Sequence, residues 1–294
     1  VQVRNDFLRD QKADTFHHLG LSTKMKHFNE TFSDLKYVCF SGSQGRVYNM
    51  ADRLLNELNI SKPIGFQLAN ICKNTDRYVM YKVGPVLCVN HGIGISSSSV
   101  VLNEIIKVLY YSNATDVSMF RIGTSGGIGI SAGTVVITSV AVDGLLRPFL
   151  EVPILGELVK IPSSLSVSQN EKLLKCGDPS DDFQIIPGKT MCSWDFYEGQ
   201  ARLDGARCEF NMEKKQAFLK KAYDDGVRNV EMESLTFATM CCQAGISASV
   251  ICVTLLNRFE TDQITVSEDC LREWAHRPMT VVIRHIRSQL CKRE

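Results

Sequence analysis

The chain has 294 residues, 44% of them hydrophobic and 22% charged, with a formal net charge of +1 at pH 7. Such a length buries a substantial core, while the near-neutral balance offers neither the basic field of a nucleic-acid binder nor an acidic tail for a basic partner, so the expected ligand is small. The 11 cysteines are odd in number and scattered, with Cys241 and Cys242 adjacent and no CxxC pair, which argues against a disulfide framework or a zinc site and leaves reduced core thiols.

Residues 1–35 are polar and weakly periodic, an extended or partly helical arm with His17 and His18 at its surface. Its opening stretch VQVRNDFLRDQKADTF carries charges where a signal peptide needs an apolar run, and no later segment approaches the length of a membrane span. The expected location is therefore cytoplasmic, with no membrane partner. Tyr37 to Phe40 reads as the first strand and Ser41 to Gly45 as a turn; after Arg46 a helix aligns Val47, Met50, Ala51, Leu54 and Leu58 on one face. Arg77 to Val83 and Val86 to Asn90 read as two strands joined by the turn dipeptide Gly84-Pro85. His91 to Gly94 then leads through a serine run into a helix over Val100 to Tyr111 that is apolar on more than one side.

The stretch from Asp116 to Ile130, DVSMFRIGTSGGIGI, joins an apolar strand to an arginine and then to a glycine-rich turn. Val117, Met119 and Ile122 suit a buried strand, and Gly123, Gly126, Gly127 and Gly129 free the backbone for left-handed conformations and close approach. With Arg121, Thr124 and Ser125 this turn offers a guanidinium, hydroxyls and bare N–H groups to a tetrahedral oxyanion such as phosphate. The plainer reading is a tight turn after a strand.

Thr134 to Val142 is a further strand, and residues 144–186 read as an irregular surface excursion with one helix near Asn170 to Leu174. Glu213 to Asp225 forms an amphipathic helix closed by Gly226, and Val227 to Glu233 brings a strand to the acidic pair Glu231 and Glu233. Ser234 to Ala244 continues as an apolar helix and Ala248 to Thr254 as the last, central strand; two C-terminal helices meet at Pro278. Strands alternating with helices, each apolar throughout, imply an α/β sheet covered on both faces, with ligands at the strand ends; the length fits one large domain or two small ones, and nothing in the pattern forces a split of residues 1–294.

Those strand ends carry Arg46, Arg121, Glu233 and Arg258. Gly188-Lys189-Thr190 lacks the upstream glycine of a phosphate-binding P-loop, since Phe183 stands there. Gly92-x-Gly94-x-x-Ser97 resembles a dinucleotide fingerprint, but the next strand ends in Arg121 and not in an acid for a ribose diol, so an NADP-linked oxidoreductase stays only as an alternative. No HExxH, histidine cluster or Gly-x-Ser-x-Gly elbow supports metal or acyl-enzyme chemistry.

Five motifs together resemble the eukaryotic-type uridine phosphorylases of the nucleoside phosphorylase family: TDRYVMYKVGPVL at 75–87, FRIGTSGGIG at 120–129, DFYEGQARLDGA at 195–206, VRNVEMES at 227–234 and CVTLLNR at 252–258. The resemblance implies a three-layer α/β/α sandwich around a mixed, partly barrel-like sheet. It also implies reversible phosphorolysis of uridine to uracil and ribose 1-phosphate, with phosphate as co-substrate and no cofactor. By position, phosphate is held by Gly42, Arg46, Arg121 and Thr124, with Arg77 from a partner subunit of a homodimer with shared sites. Met232 and Glu233 take the ribose, with the partner's His18 near the 5′-hydroxyl; Phe196, Gln200 and Arg202 take the base, Leu255 and Leu256 line its pocket, and Arg258 closes the far side. Two departures stand out: Ser41-Gly42-Ser43-Gln44 replaces the Gly-Gly-Ser-Pro common before the arginine, and Ser96 stands where proline is usual. They bear on phosphate affinity and loop rigidity. A catalytically weak, nucleoside-binding homologue is the alternative from a different class.

The residue chemistry agrees with this assignment. Uracil presents carbonyl, N–H and carbonyl in a row, and the Gln200 amide offers both an acceptor and a donor for that edge. Arg202 only donates, so it suits a second carbonyl and faces the negative charge that develops on the departing base. Glu233 favours an oxocarbenium-like sugar; taken alone it could equally be a charge at a helix N-terminus, and Gln200 a solvated loop amide.

Overall fold

The structure is a computed structural model that describes residues 1–58, 60 and 67–291. Its contacts fall into two compact units: Val1–Arg121 with Met240–Ala248 and the chain from Ile286 onward, and Ile122–Thr239 with Ser249–His285.

The first unit opens with α1 (Asp6–Arg9), β1 (Thr15–Phe16), β2 (Leu21–Ser22) and α2 (Phe28–Phe32). This segment is partly helical, as expected, and it is also packed down. Phe16, Leu19, Leu21, Phe28 and Phe32 are buried, with Phe16 stacked on Phe28 at 6.0 Å, and Asp14 pairs with Lys107 at 2.8 Å. The apolar residues sit singly among charges, so they escape a periodicity search while still driving burial.

β3 (Tyr37–Ser41) is followed by α3 (Gln44–Glu57), β4 (Met80–Val83), β5 (Val86–Asn90), α4 (Gly94–Tyr111) and β6 (Ser118–Gly127). β3 lies between two parallel neighbours, with Val38 opposite Leu87 of β5 and Met119 of β6, and β4 pairs antiparallel with β5. Every residue of β3 and β5 is buried, as continuous apolar strands inside a covered sheet should be. Two expectations change here. Arg77 lies in a bend before β4 and not on a strand, because the backbone N–H groups of Val79 and Met80 donate to the side-chain amides of Asn90 and Asn70. The serine run belongs to α4, whose first turns it forms; Ser97 Oγ donates to the His91 carbonyl at 2.6 Å, and Tyr78 Oη donates to the Ser97 carbonyl at 2.9 Å.

The second unit carries β7 (Val135–Val142), β8 (Phe149–Ile154), β9 (Glu157–Pro162), α5 (Val167–Leu174), β10 (Ile185–Cys192), α6 (Met212–Asp224), β11 (Val227–Glu231), α7 (Ser234–Gln243), β12 (Ser247–Asn257) and α8 (Glu268–Leu290). From Ile122 onward β6 neighbours β12, followed by β7, β10 and β11, and β11 pairs back onto β6 through Asn229–Gly127 and Val230–Gly126. The result is a mixed five-stranded ring: β7, β10 and β11 run parallel, while β12 against β7 and β11 against β6 are antiparallel. A one-way chain of buried hydrogen bonds crosses all five strands, from Thr138 to Thr190 (2.7 Å), Asn229 (2.7 Å), Ser125 (2.9 Å) and the Val253 carbonyl (3.2 Å). Each member donates once, so no polar atom of the chain is stranded in the core. Beside it an apolar cluster joins Ile128, Val142 and Met191 to Leu219 and Ala222 of α6.

Three further expectations are corrected in this unit. Residues 144–186 are not merely irregular: β8 and β9 form a hairpin whose two turn residues, Leu155 and Gly156, both have positive φ (51° and 87°), and α5 starts at Val167. Leucine at the first turn position hid that turn from a search for Asn-Gly or Asp-Gly. Pro278 sits inside one continuous helix, α8, instead of separating two. The lost hydrogen bond is offset by burial of Met279, Val281, Val282 and Ile283 and by Arg277, which donates to the Gly133 carbonyl at 2.8 Å. Finally, the glycine-rich stretch is mostly strand. Of its four glycines only Gly129 is left-handed (φ 67°), whereas Gly126 is glycine because a Cβ there would lie 3.1 Å from the Arg258 stem.

Candidate functional site

Within the second unit the residues after β10 fold around a few backbone anchors. Asp195 accepts from the N–H groups of Tyr197 and Gly199 (2.9 and 3.0 Å), and the Tyr197 carbonyl accepts from those of Gln200 and Arg202 (3.1 and 2.9 Å). Ala201 between them is left-handed (φ 54°), which turns the chain so that Gln200 and Arg202 are both buried. The Arg202 guanidinium stacks over Phe196, 4.5 Å from its ring centre. Phe196 itself is exposed on its outer side.

Arg258, one residue past β12, is almost wholly buried at 1% exposure. Its Nη2 donates to the Gln200 carbonyl at 2.8 Å and its Nε to Asp262 at 2.9 Å, while the equally buried Nη1 makes no hydrogen bond among the described residues. Burial lowers the Arg258 pKa, and Asp262 opposes that shift. Arg202 spends Nε and Nη2 on Asp204 and on the Asp262 carbonyl. Those hydrogen bonds hold the Asp204 carboxyl below the ordinary range. Gln200, Arg202, Phe196 and Arg258 thus come together. Leu256 is buried and Leu255 half-buried just before Arg258, both lining a 380 Å³ cavity with Gly129, Ser131 and Gln263.

Met232 and Glu233 follow β11, whose Val230 packs at Gly126 beside the Arg258 stem. The N-terminus of α7 is capped by Glu231, whose carboxylate accepts from the N–H groups of Glu233 (2.9 Å) and Ser234 (3.0 Å). Glu233 itself stands directly before the first residue of α7, its carbonyl accepting from the Phe237 N–H at 3.0 Å, so a carboxylate at a helix N-terminus stays open as its plain role. Glu233 is buried and Met232 half-buried.

In the first unit Gly42 follows β3, and Ser43 caps α3, its Oγ accepting from Arg46 Nε at 3.1 Å. A Cβ at Gly42 would lie 3.0 Å from Arg46 Nη2 and 3.3 Å from the Gly92 carbonyl, so glycine lets a guanidinium and a second turn close over the strand end. Arg121, buried, stands in register with Phe40 on the adjacent strand. A helix N-terminus with a guanidinium folded against it favours an anion. Thr124, three residues further along β6, belongs to the second unit and is half-buried. Arg77 is exposed in its bend, and His18 is half-exposed in the N-terminal segment. Sequence reasoning missed Asp204, Lys215, Asp262 and Glu104, which hold these groups in place; only Asp204, inside a quoted motif, carried a signal. Among the described residues no three His, Cys, Asp or Glu side chains are grouped as a metal ion would need, and no helix is long and apolar enough to cross a membrane.

The family model described as the phosphorylase superfamily matches residues 36–287. Human uridine phosphorylase 2 is 45% identical over 295 residues, covering 99% of this chain and 91% of that protein. Inactive uridine phosphorylase B of Schistosoma mansoni is 37% identical, covering 97% and 95%. A uridine phosphorylase structure from the oomycete Phytophthora capsici superposes with a TM-score of 0.94 at 40% identity, covering 99% of this chain and 98% of that one.

Proposed function

The chain belongs to the phosphorylase superfamily and has its α/β fold with a mixed, partly barrel-like sheet, and from that premise we propose that it catalyses the reversible phosphorolysis of uridine. The observation that carries the substrate assignment is the buried cluster of Gln200, Arg202 and Arg258. Its amide supplies one acceptor and one donor; Arg258 Nη1 is a buried donor with no hydrogen bond among the described residues. A buried guanidinium donor left in this state is available to a ligand. The imide edge and carbonyls of uracil match this set, whereas the amino group of cytosine would set donor against donor.

Phosphate is the nucleophile. Arg46, Arg121, Gly42 and Thr124 bind it, and Arg77 of the partner subunit completes the set, so the working unit is a homodimer. One phosphate oxygen forms a bond to C1′ as the bond from C1′ to N1 breaks, and the electron pair of that bond leaves with the base. Arg202 and Arg258 stabilise the resulting uracil anion, which then takes a proton from solvent. Glu233 and Met232 hold the ribose, the carboxylate favouring the positive charge that builds on the sugar, and the partner's His18 meets the 5′-hydroxyl. Most of the rate enhancement comes from holding phosphate in line with C1′ and from fixed charge, not from a covalent intermediate. The small molecules handled are uridine, phosphate, uracil and ribose 1-phosphate, in the cytoplasm.

A second reading has one observation behind it: a relative of almost equal length and similar identity is described as inactive. The two readings separate on uracil release from uridine. Phosphorolysis gives release only with phosphate present; equal release without it means hydrolysis, and none at all with nucleoside still bound means a binding protein.

A further inference from the structure

We propose that Lys215 and Asp262 are positioning residues of the base site, and that the buried positive charge of Lys215 sets how readily that site accepts the negative charge of the departing base. The inference rests on the phosphorolysis reading above. Asp262 is the point where three segments of the second unit meet. Its Oδ1 accepts from Lys215 Nζ of α6 at 2.8 Å and from Arg258 Nε at 2.9 Å, and its Oδ2 accepts from the Leu203 N–H at 3.0 Å. Its carbonyl accepts from Arg202 Nη2 at 2.6 Å. Through these contacts one residue fixes both arginines and, by way of Arg258 Nη2, the Gln200 backbone.

The charge count gives the cluster a purpose beyond scaffolding. Lys215, Arg202 and Arg258 are cations, Asp204 and Asp262 anions, so three charges against two leave a net +1 beside the base. Lys215 and Asp262 are 2% and 8% exposed, and at such depth a charge acts over several ångströms with little screening. Burial pushes the Asp262 carboxyl up, but the hydrogen bonds from Lys215 and Leu203 and the charges of Arg258 and Lys215 outweigh it, so the aspartate stays ionised. A buried ammonium is costly to keep, and a well-packed apolar residue would tie α6 down as firmly. Charge itself is therefore what the lysine supplies.

The test compares phosphorolysis of uridine and 5-fluorouridine, because fluorine stabilises the leaving anion without changing the groups that bind it. Lys215→Met should lower kcat on uridine by roughly tenfold, with a clearly smaller loss on 5-fluorouridine and full recovery in Lys215→Arg. Lys215→Gln, whose amide still donates to Asp262 and preserves the packing, should show the same selective loss if the methionine variant folds poorly. Equal losses on the two substrates in either variant would mean a merely structural role and overturn the proposal. Wild-type protein inactive on both nucleosides would overturn the functional reading and this inference with it.

Discussion

Glu104 holds His18 through two hydrogen bonds and the following residue through a third. Its Oε1 accepts from the His18 N–H at 3.1 Å and from the ring Nδ1–H at 2.8 Å, and its Oε2 accepts from the Leu19 N–H at 2.9 Å. Glu104 is buried on α4, so the imidazole is fixed with Nε2 directed away from the carboxylate while the ring stays 48% exposed. A histidine set in this way is prepared to meet a group outside its own chain.

If that group is the 5′-hydroxyl of a nucleoside in the partner subunit, His18→Ala should raise KM for uridine about fivefold, the worth of one hydrogen bond of roughly 1 kcal/mol. It should leave KM for 5′-deoxyuridine unchanged. Glu104→Ala should show the same pattern, because it frees the ring. A rise on both nucleosides would place His18 elsewhere.

Base recognition can be probed at one side chain. Gln200→Leu should lose most uridine phosphorolysis, on the order of a hundredfold in kcat/KM, because it strands two hydrogen-bonding groups of uracil at about 1–3 kcal/mol each. Phosphate binding, measured by calorimetry, should persist. Near-wild-type catalysis in that variant, or cytidine turned over as fast as uridine, would show that the base lies against other residues.

Arg77 is exposed and Arg121 buried, so the first suits a site on the partner and the second a site in its own chain. Arg77→Ala and Arg121→Ala should each be nearly inactive alone. Mixed and reassembled, they form some heterodimers in which one pocket keeps both arginines, and part of the activity should return. Full activity of Arg77→Ala by itself would remove the case for shared sites.

Acid stability follows from an ion pair that shares no member with the base cluster. Arg284 donates to both oxygens of Asp181 (2.7 and 2.8 Å), which holds the Asp181 carboxyl below its ordinary range. A depressed folded pKa means that this contribution is present above the unfolded value near pH ~4 and is lost as pH falls through the folded value. Asp181→Asn should therefore lower Tm at pH 7, with the difference shrinking as pH falls below the unfolded value and vanishing once it passes the folded one. A Tm difference independent of pH would show that packing, not charge, carries the effect.

Most strands were legible because long apolar runs have one stable fate inside a covered sheet, and β3, β5, β7 and β12 appear where the runs stand. Function-bearing stretches were legible for another reason: they combine residue types, such as Glu198-Gly199-Gln200 with Arg202, that packing alone does not require. What escaped depends on partners distant in sequence. Asp262 sits in a polar loop with no periodicity, and nothing local distinguishes it from Asp224 or Asp225. Lys215 looks like a surface residue of an amphipathic helix until its burial is known. The bend at Arg77 and the course of α8 through Pro278 are likewise set by groups outside the local sequence, the Asn90 side chain and the Gly133 carbonyl among their anchors.

The most direct test of phosphorolysis follows the phosphorus atom. With protein, uridine and inorganic phosphate in solution, phosphorus NMR should show a sugar-phosphate resonance growing in step with uracil release, and ribose 1-phosphate with uracil should regenerate uridine. Uracil appearing while inorganic phosphate remains the only phosphorus signal would contradict the proposal.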